Sequence, residues 1–399
     1  MQDVLSEKPY RFVPARHAHF WPALFHALMP RILRKDWGVE RVDLRGVERL
    51  KASLDAGHAV ILASNHCRPC DPMVIGMLTR TLRRPPYTLA SSHLFRQSAL
   101  RSFLLPRLGV FSLYREGLDR EALRFAMHVL TDTNRPLILF AEGVVTRTND
   151  RLKSLMEGPA FIARSAMKRK EWPAGRRTVI HPVAIRYFHD GTREQLEATL
   201  SPVLSEIEHR LTWVPDTSRP LRERIDRVGM TLLALHEIEH RGAPQPGTLA
   251  ERLAGLIDAI LRPLEAEWLN GRADGDVVAR VKALRATILR GMVQGGLDET
   301  ERARRWRHLR SADLAQEISF FPPGHLGDAP TPEQLLETVE RIEESITGDA
   351  RIHRHLRAVL EVGEPIEVSA DHPRGKEDPV MARLRTELQA AITRLRDAR

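Results

Sequence analysis

Two cysteines among 399 residues cannot build a disulfide framework, so a reducing, intracellular compartment is the first expectation. Lysine is also scarce: 8 of the 61 basic residues are lysine, which leaves 53 arginines. Aromatic residues make up 6% of the chain, and no RNA- or DNA-binding motif is recognisable, so no nucleic-acid partner is expected. No apolar run is long enough to span a bilayer. The most apolar stretch, Phe20 to Leu33, is interrupted by Pro22, His26, Pro30 and Arg31. Residues 1–16 carry mixed charges and no apolar h-region, which argues against a secretory leader there. Internal repeats and low-complexity tracts are absent.

What is present describes a globular protein. Hydrophobic residues form 42% and charged residues 28% of the chain, and the length allows two or three domain-sized units. The net charge of +9 favours phosphate-bearing partners: nucleic acid, anionic lipid or a substrate. Arginine's planar fork pairs with any of them, and a codon bias toward arginine would leave the same composition. Charge alone does not choose. Residues 1–45 read as an amphipathic helical segment. With Arg34 and Lys35 behind it, Phe20 to Leu33 could lie in a headgroup layer or pack on the protein's own core.

From residue 46 to 194, short apolar runs alternate with helical periodicity. Strands are expected at 42–44, 58–63, 87–90, 109–115, 137–140 and 178–187, the last interrupted by Pro182. Helices are expected at 46–56, 71–82, 95–105, 119–131 and 155–167, with Asp71-Pro72 as a helix-start signal. This alternation predicts an α/β fold: a mixed, largely parallel sheet with flanking helices. Residues 195–355 carry almost only helical patterns, punctuated near 215–216, 242–247 and 322–327. Leu221, Ile225, Val228, Leu232 and Leu235 form one predicted stripe. A large helical insertion is the expectation. Residues 356–399 then supply two closing strands and a helix carrying Val380, Leu384, Leu388, Ile392 and Leu395 on one face.

Three clusters could carry chemistry. Cys67-Arg-Pro-Cys70 has the spacing of a zinc or dithiol site, but structural zinc needs four ligands and the chain holds no other cysteine. Small buried side chains are the plainer reading. His236-Glu-Ile-Glu-His240 matches H-E-x-x-H, which on a helix sets two histidines one turn apart with Glu237 as base. That would make a zinc hydrolase, yet Glu239 adds a charge and Arg241 to Pro244 end the helix with no third ligand. A polar helix edge explains the same residues. The third cluster is Asn65-His66, followed by Asp71 five residues after the histidine. A neutral imidazole can take a proton from a hydroxyl, and a carboxylate on its other nitrogen fixes the tautomer. By itself this spacing also fits a helix cap beside an exposed histidine.

The pair has company. Gly109-Val-Phe-Ser-Leu-Tyr-Arg115, Phe140-Ala-Glu-Gly143 and His181-Pro-Val183 follow in order, each at a predicted strand end. The set resembles the glycerolipid acyltransferases, which include the 1-acylglycerol-3-phosphate acyltransferases, from about Gly46 to Tyr187. It resumes at Leu360-Glu-Val-Gly-Glu-Pro-Ile366. The resemblance implies His66 as the base that deprotonates the acceptor hydroxyl and Asp71 as its orienting partner. It implies Arg115 as the phosphate ligand, and Glu142, Gly143, Arg147 and Pro182 as residues that shape the substrate site. Glu142, itself anionic, would hold Arg115 or loop amides rather than phosphate. The implied donor is acyl-CoA or acyl-carrier protein, and the implied acceptor is lysophosphatidate or glycerol 3-phosphate at an anionic membrane surface. No cofactor or metal is required. Ala141 stands where the family has proline, and Val144-Val145 displace Thr146-Arg147 by two positions. The insertion matches nothing in the family, and a non-catalytic scaffold binding lipid or nucleic acid through it is the rival from another class.

Overall fold

The computed structural model describes residues 5–16, 18, 20–321, 323–371 and 378–397. Residues 1–4, 17 and 19 of the N-terminal segment, and Pro322 of the predicted break, lie outside these. In chain order the elements begin with α1 (Phe20–Trp37), β1 (Val39–Arg45), α2 (Val47–Asp55), β2 (Ala59–Ser64) and α3 (Asp71–Thr81). Next come β3 (Tyr87–Ser91), a 3₁₀ turn (Ser92–Arg96), α4 (Ala99–Arg107), β4 (Val110–Leu113), α5 (Arg120–Asp132), β5 (Leu137–Phe140), α6 (Gly158–Met167) and β6 (Thr178–His189). Six helices follow: α7 (Arg193–Arg210), α8 (Leu221–Arg241), α9 (Leu249–Leu269), α10 (Val277–Val293), α11 (Glu299–Ser319) and α12 (Pro332–Thr347). The chain closes with β7 (Leu356–Val362), β8 (Ile366–Glu367) and α13 (Pro379–Asp397).

These divide into two compact units. An α/β unit holds Tyr10–Tyr114, Leu118–Asp190 and Ile352–Arg399. A helical unit holds Gly191–Arg351, the loop Arg115–Gly117 and the described part of Met1–Pro9.

Among the described residues of the α/β unit, eight strands form one sheet in the order β1-β7-β6-β2-β5-β3-β4, with β8 also on β6. Pairing is parallel except where β6 meets β7 and β8. The fold is therefore the mixed, largely parallel α/β sheet expected, with a helical insertion between β6 and β7. Burial explains the composition of β2. All six of its residues, Ala-Val-Ile-Leu-Ala-Ser, are buried, because a central parallel strand is covered on both faces. Withdrawing a side chain such as Ile61 or Leu62 from water contributes about 1.5–3 kcal/mol. Helix α13 returns to this core: Val380, Leu384, Leu388, Ile392 and Leu395 are all buried.

Several expectations need correction. Pro182 does not interrupt its strand. Position 182 pairs with Ala63 on one side, while on the other it faces the gap between β7 and β8, so its missing N–H leaves no ladder bond unmade. Helix α4 begins at Ala99 rather than Phe95, because the Ser98 hydroxyl accepts the Arg101 amide at 3.1 Å and caps it there. Strand β4 stops at Leu113, short of Arg115. On α8 the buried face runs through Leu221, Ile225, Val228, Leu233 and Glu237, and Leu235 is exposed. A buried ion pair at Glu237 turns that end of the helix inward.

Candidate active site

Three strands of the α/β unit deliver the side chains. His66 follows β2, Glu142 follows β5, and Tyr187 lies near the end of β6; all are at carboxyl ends, where parallel sheets place their binding crevices. The turn after β2 is anchored by Asn65. Its side-chain amide donates to the Ile185 carbonyl at 2.9 Å and its oxygen accepts the Ile185 N–H at 2.8 Å. One side chain thus continues the β2–β6 pairing after the backbone has left the sheet.

The backbone of His66 is held on both sides. Its N–H donates to Glu142 Oε1 at 2.8 Å, and its carbonyl accepts the Thr146 N–H at 2.8 Å and the Thr146 hydroxyl at 3.1 Å. The imidazole stacks on the Phe140 ring, with centroids 4.0 Å apart and planes 20° from parallel. Nδ1 meets Asp71 Oδ2 at 2.8 Å. A carboxylate only accepts, so the proton sits on Nδ1 and the Nε2 lone pair is left available. The His66 side chain is 15% exposed and that of Asp71 is 0% exposed, so the pair joins a reachable base to a fully buried partner.

Asp71 does not cap α3 as the sequence signal predicts. The helix begins at Asp71 itself, and Cys70 precedes it without a side-chain cap. Oδ2 accepts both the imidazole and the Arg68 N–H at 2.9 Å, and Oδ1 accepts the Tyr187 hydroxyl at 2.5 Å. A carboxylate removed from water needs this many donors.

Glu142 is buried at a junction of loops. Besides the His66 amide, it accepts the Lys153 N–H on Oε2 at 2.8 Å. Burial pushes its carboxyl up to about 7, opposed by those two amides. It is a clamp on backbone. Gly143 beside it has φ +71°, and a Cβ there would lie 2.4 Å from Met156 Sδ, so glycine suits both the conformation and the space. Arg147 also takes a left-handed conformation, φ 52°, within the displaced Thr146-Arg147 segment. Thr146 is the member of that pair that ties the His66 loop. Pro182 is buried within β6, and its carbonyl accepts the Gly363 N–H at 2.7 Å.

Arg115 groups with the helical unit, in the loop Arg115–Gly117. Burial and the neighbouring Arg285 lower its pKa, while Glu116 and Asp313 act in the opposite sense. Arg285 itself pairs with Asp313 at 2.5 Å.

The two rival clusters are occupied otherwise. Cys67 and Cys70 are buried thiols outside any disulfide, and burial pushes Cys70 up to about 12, which keeps it protonated. Glu237 would be the base of H-E-x-x-H, but it is fully buried and forked by Arg252 at 2.7 and 3.0 Å, with the Gln245 amide also on it. His236 and His240 both lie near Glu239. Among the described residues, no group of three or more His, Cys, Asp and Glu is placed to hold a metal ion.

The roles of Tyr187 and Asn149, and the stacking of Phe140, which opens the Phe140-to-Gly143 block, are not legible in the sequence. Asn149 reads the Tyr187 backbone as Asn65 reads Ile185: its amide donates to the carbonyl at 2.8 Å and its oxygen accepts the N–H at 2.9 Å. Nothing in one sequence marks these roles, because each residue acts across more than thirty positions of chain.

No curated protein matches the chain. Residues 41–186 match the family model described as Acyltransferase, a span that includes His66, Asp71, Glu142 and Gly143 and supports acyl transfer as the chemistry of this site.

Proposed function

We propose that this protein moves a fatty acyl group from a thioester, acyl-CoA or acyl-carrier protein, to a hydroxyl of a glycerolipid phosphate. Lysophosphatidate is the favoured acceptor, with glycerol 3-phosphate next. The observation that carries the reading is the His66–Asp71 pair, with Nδ1 bonded to carboxylate and Nε2 left as the basic nitrogen. His66 Nε2 takes the proton as the acceptor oxygen attacks the thioester carbonyl. Asp71 steadies the imidazolium that forms. Collapse of the tetrahedral intermediate breaks the carbon–sulfur bond, and the imidazolium returns its proton to the departing thiolate.

In this reading Glu142 and Gly143 shape the loop that presents His66, and Pro182 and Arg147 contribute to the substrate site. Arg115 takes the acceptor phosphate. A guanidinium suits that role because it offers two parallel charge-assisted hydrogen bonds to a phosphate.

The acceptor is an amphiphile, and α1 has a face suited to one. Phe20, Leu24 and Leu28 are exposed at intervals of four, and α4 adds exposed Leu100 and Phe103, with Trp21 edge-on to Phe103. Exposed Arg31, Arg34, Lys35 and Arg101 border these side chains in sequence. The opposite side of α1 buries Met29 and Leu33. No helix among the described residues is long and apolar enough to cross a membrane. Peripheral docking on an anionic, cytoplasmic membrane face follows as part of the proposal.

The test uses labelled acyl-CoA and acyl-carrier protein against a panel of lysophospholipids and glycerol 3-phosphate. Wild type should acylate one of them and His66→Ala should not. Absence of transfer to every acceptor, or full activity in His66→Ala, would overturn the reading.

A further inference from the structure

Residue 187 lies one position beyond the region that matches the Acyltransferase family model, yet its hydroxyl reaches into the His66–Asp71 pair. We propose that Tyr187 is a positioning residue for the reaction: its phenol donates to Asp71 Oδ1, holding the carboxylate so that Oδ2 faces His66 Nδ1. The inference rests on the acyltransferase reading for its link to turnover, though not for its geometry.

The geometry is over-determined. The backbone of Tyr187 is paired with Ala358 of β7 on one side and with the Asn149 side chain on the other. Its ring lies under the Arg68 guanidinium at 5.3 Å, and its oxygen is 3.4 Å from Cys70 Sγ. The side chain is fully buried. Because Asp71 accepts only, the phenol must donate, which leaves its lone pairs for the protonated Cys70 thiol. Burial and the charge of Asp71 keep the phenol protonated, far above the ordinary tyrosine range. The chain His66–Asp71–Tyr187–Cys70 therefore has one direction of donation at each link.

This arrangement gives Tyr187 two effects. It fixes the rotation of the carboxylate about its last bond, since Oδ1 is held from β6 while Oδ2 takes the imidazole and the Arg68 amide. It also draws negative charge toward Oδ1 and so tempers the pull of Asp71 on a protonated His66. Other charged and titratable groups near this carboxylate are Arg68 and Glu142; neither replaces the Oδ1 donor.

Tyr187→Phe removes only the oxygen. It is expected to lower kcat about tenfold with KM unchanged, and to move the acid limb of the pH profile to higher pH. In a His66→Ala background the same change should cost nothing further; an equal loss there would mean a general structural role and overturn the proposal. Ring-proton titration of His66 by NMR reads the link without turnover. If His66 titrates at the same pH in wild type and Tyr187→Phe, the proposal fails, whether or not acyl transfer is seen. If the titration moves while wild type transfers no acyl group, the positioning stands and the acyltransferase reading falls. Should the phenylalanine variant not fold, fluorinated tyrosines at 187 keep ring and hydroxyl while strengthening the donor. The acid limb should then move to lower pH with increasing fluorination, and an unmoved limb overturns the proposal.

Discussion

The two units are held together by different means. In the α/β unit the interior is mainly apolar sheet and helix, with one polar cluster at the strand ends around His66 and two arginine–carboxylate pairs, Arg186–Asp150 and Arg164–Asp378, elsewhere. In the helical unit, consecutive helices are joined by buried or half-buried arginine–carboxylate pairs. Arg224 of α8 grips Glu208 of α7 at 2.6 Å; Arg252 of α9 grips Glu237 of α8 at 2.7 Å; Arg280 of α10 grips Glu265 of α9 at 2.6 Å. Arg285 of α10 and Asp313 of α11 repeat the arrangement. The lesson concerns composition. An arginine-rich chain invites a search for phosphate, but here a run of arginines serves as internal ties, where the planar fork suits a buried carboxylate better than lysine would. The same comparison accounts for the H-E-x-x-H match, whose Glu237 is one end of a tie.

Perturbations should therefore divide by unit. The largest effect expected is on turnover from the α/β unit: His66→Ala should lower kcat by about 10²–10⁴-fold while far-UV circular dichroism and melting stay near wild type. Stability should respond most in the helical unit. Arg224→Met strands Glu208, and both side chains are 2% exposed, so a loss of about 3–5 kcal/mol is expected in denaturant titrations. Adding Glu208→Leu should restore most of it; no recovery would mean the pair is more than a tie. Gly143→Ala comes next, at about 1–3 kcal/mol for a side chain forced into φ +71° against Met156, with activity falling alongside.

The smallest effect is a slope with pH. Glu142 has a folded pKa raised by burial to about 7, so the folded state binds its proton more tightly than the unfolded chain does. Its contribution to stability is therefore fully present below the ordinary glutamate range and is lost as pH rises to about 7. Melting temperatures across that window should decline less in Glu142→Gln than in wild type. Identical slopes would show that the Glu142 carboxyl does not contribute to the pH dependence of stability.

Local patterns in the sequence carry the elements of the sheet well. The runs at 137–140 and 356–362 are apolar and bounded by turn residues, and each forms a strand over those residues. The spacing of His66 and Asp71 permits the contact that forms, although alone it fits a helix cap as well; the later blocks at neighbouring strand ends are what favour contact. What could not be read depends on pairing at a distance. The rotation of α8 follows from Arg252, and the continuity of β6 through Pro182 follows from the gap between β7 and β8. Arg115 illustrates the same limit. Its own strand pattern points to the sheet, whereas its loop groups with helices that begin only at Arg193.

Asn65 and Asn149 have one more consequence. Each meets a backbone amide group edge to edge, one donor and one acceptor, as a base meets its complement. This parity leaves little chemical freedom at either position. Aspartate would turn an acceptor toward a carbonyl, and serine would fall short of spanning both atoms. Spontaneous loss of ammonia from asparagine makes that first change without any mutation. In an ageing sample the fit beside His66 and Tyr187 would erode one amide at a time, and mass spectrometry of slowly inactivating protein is where such a record would be written.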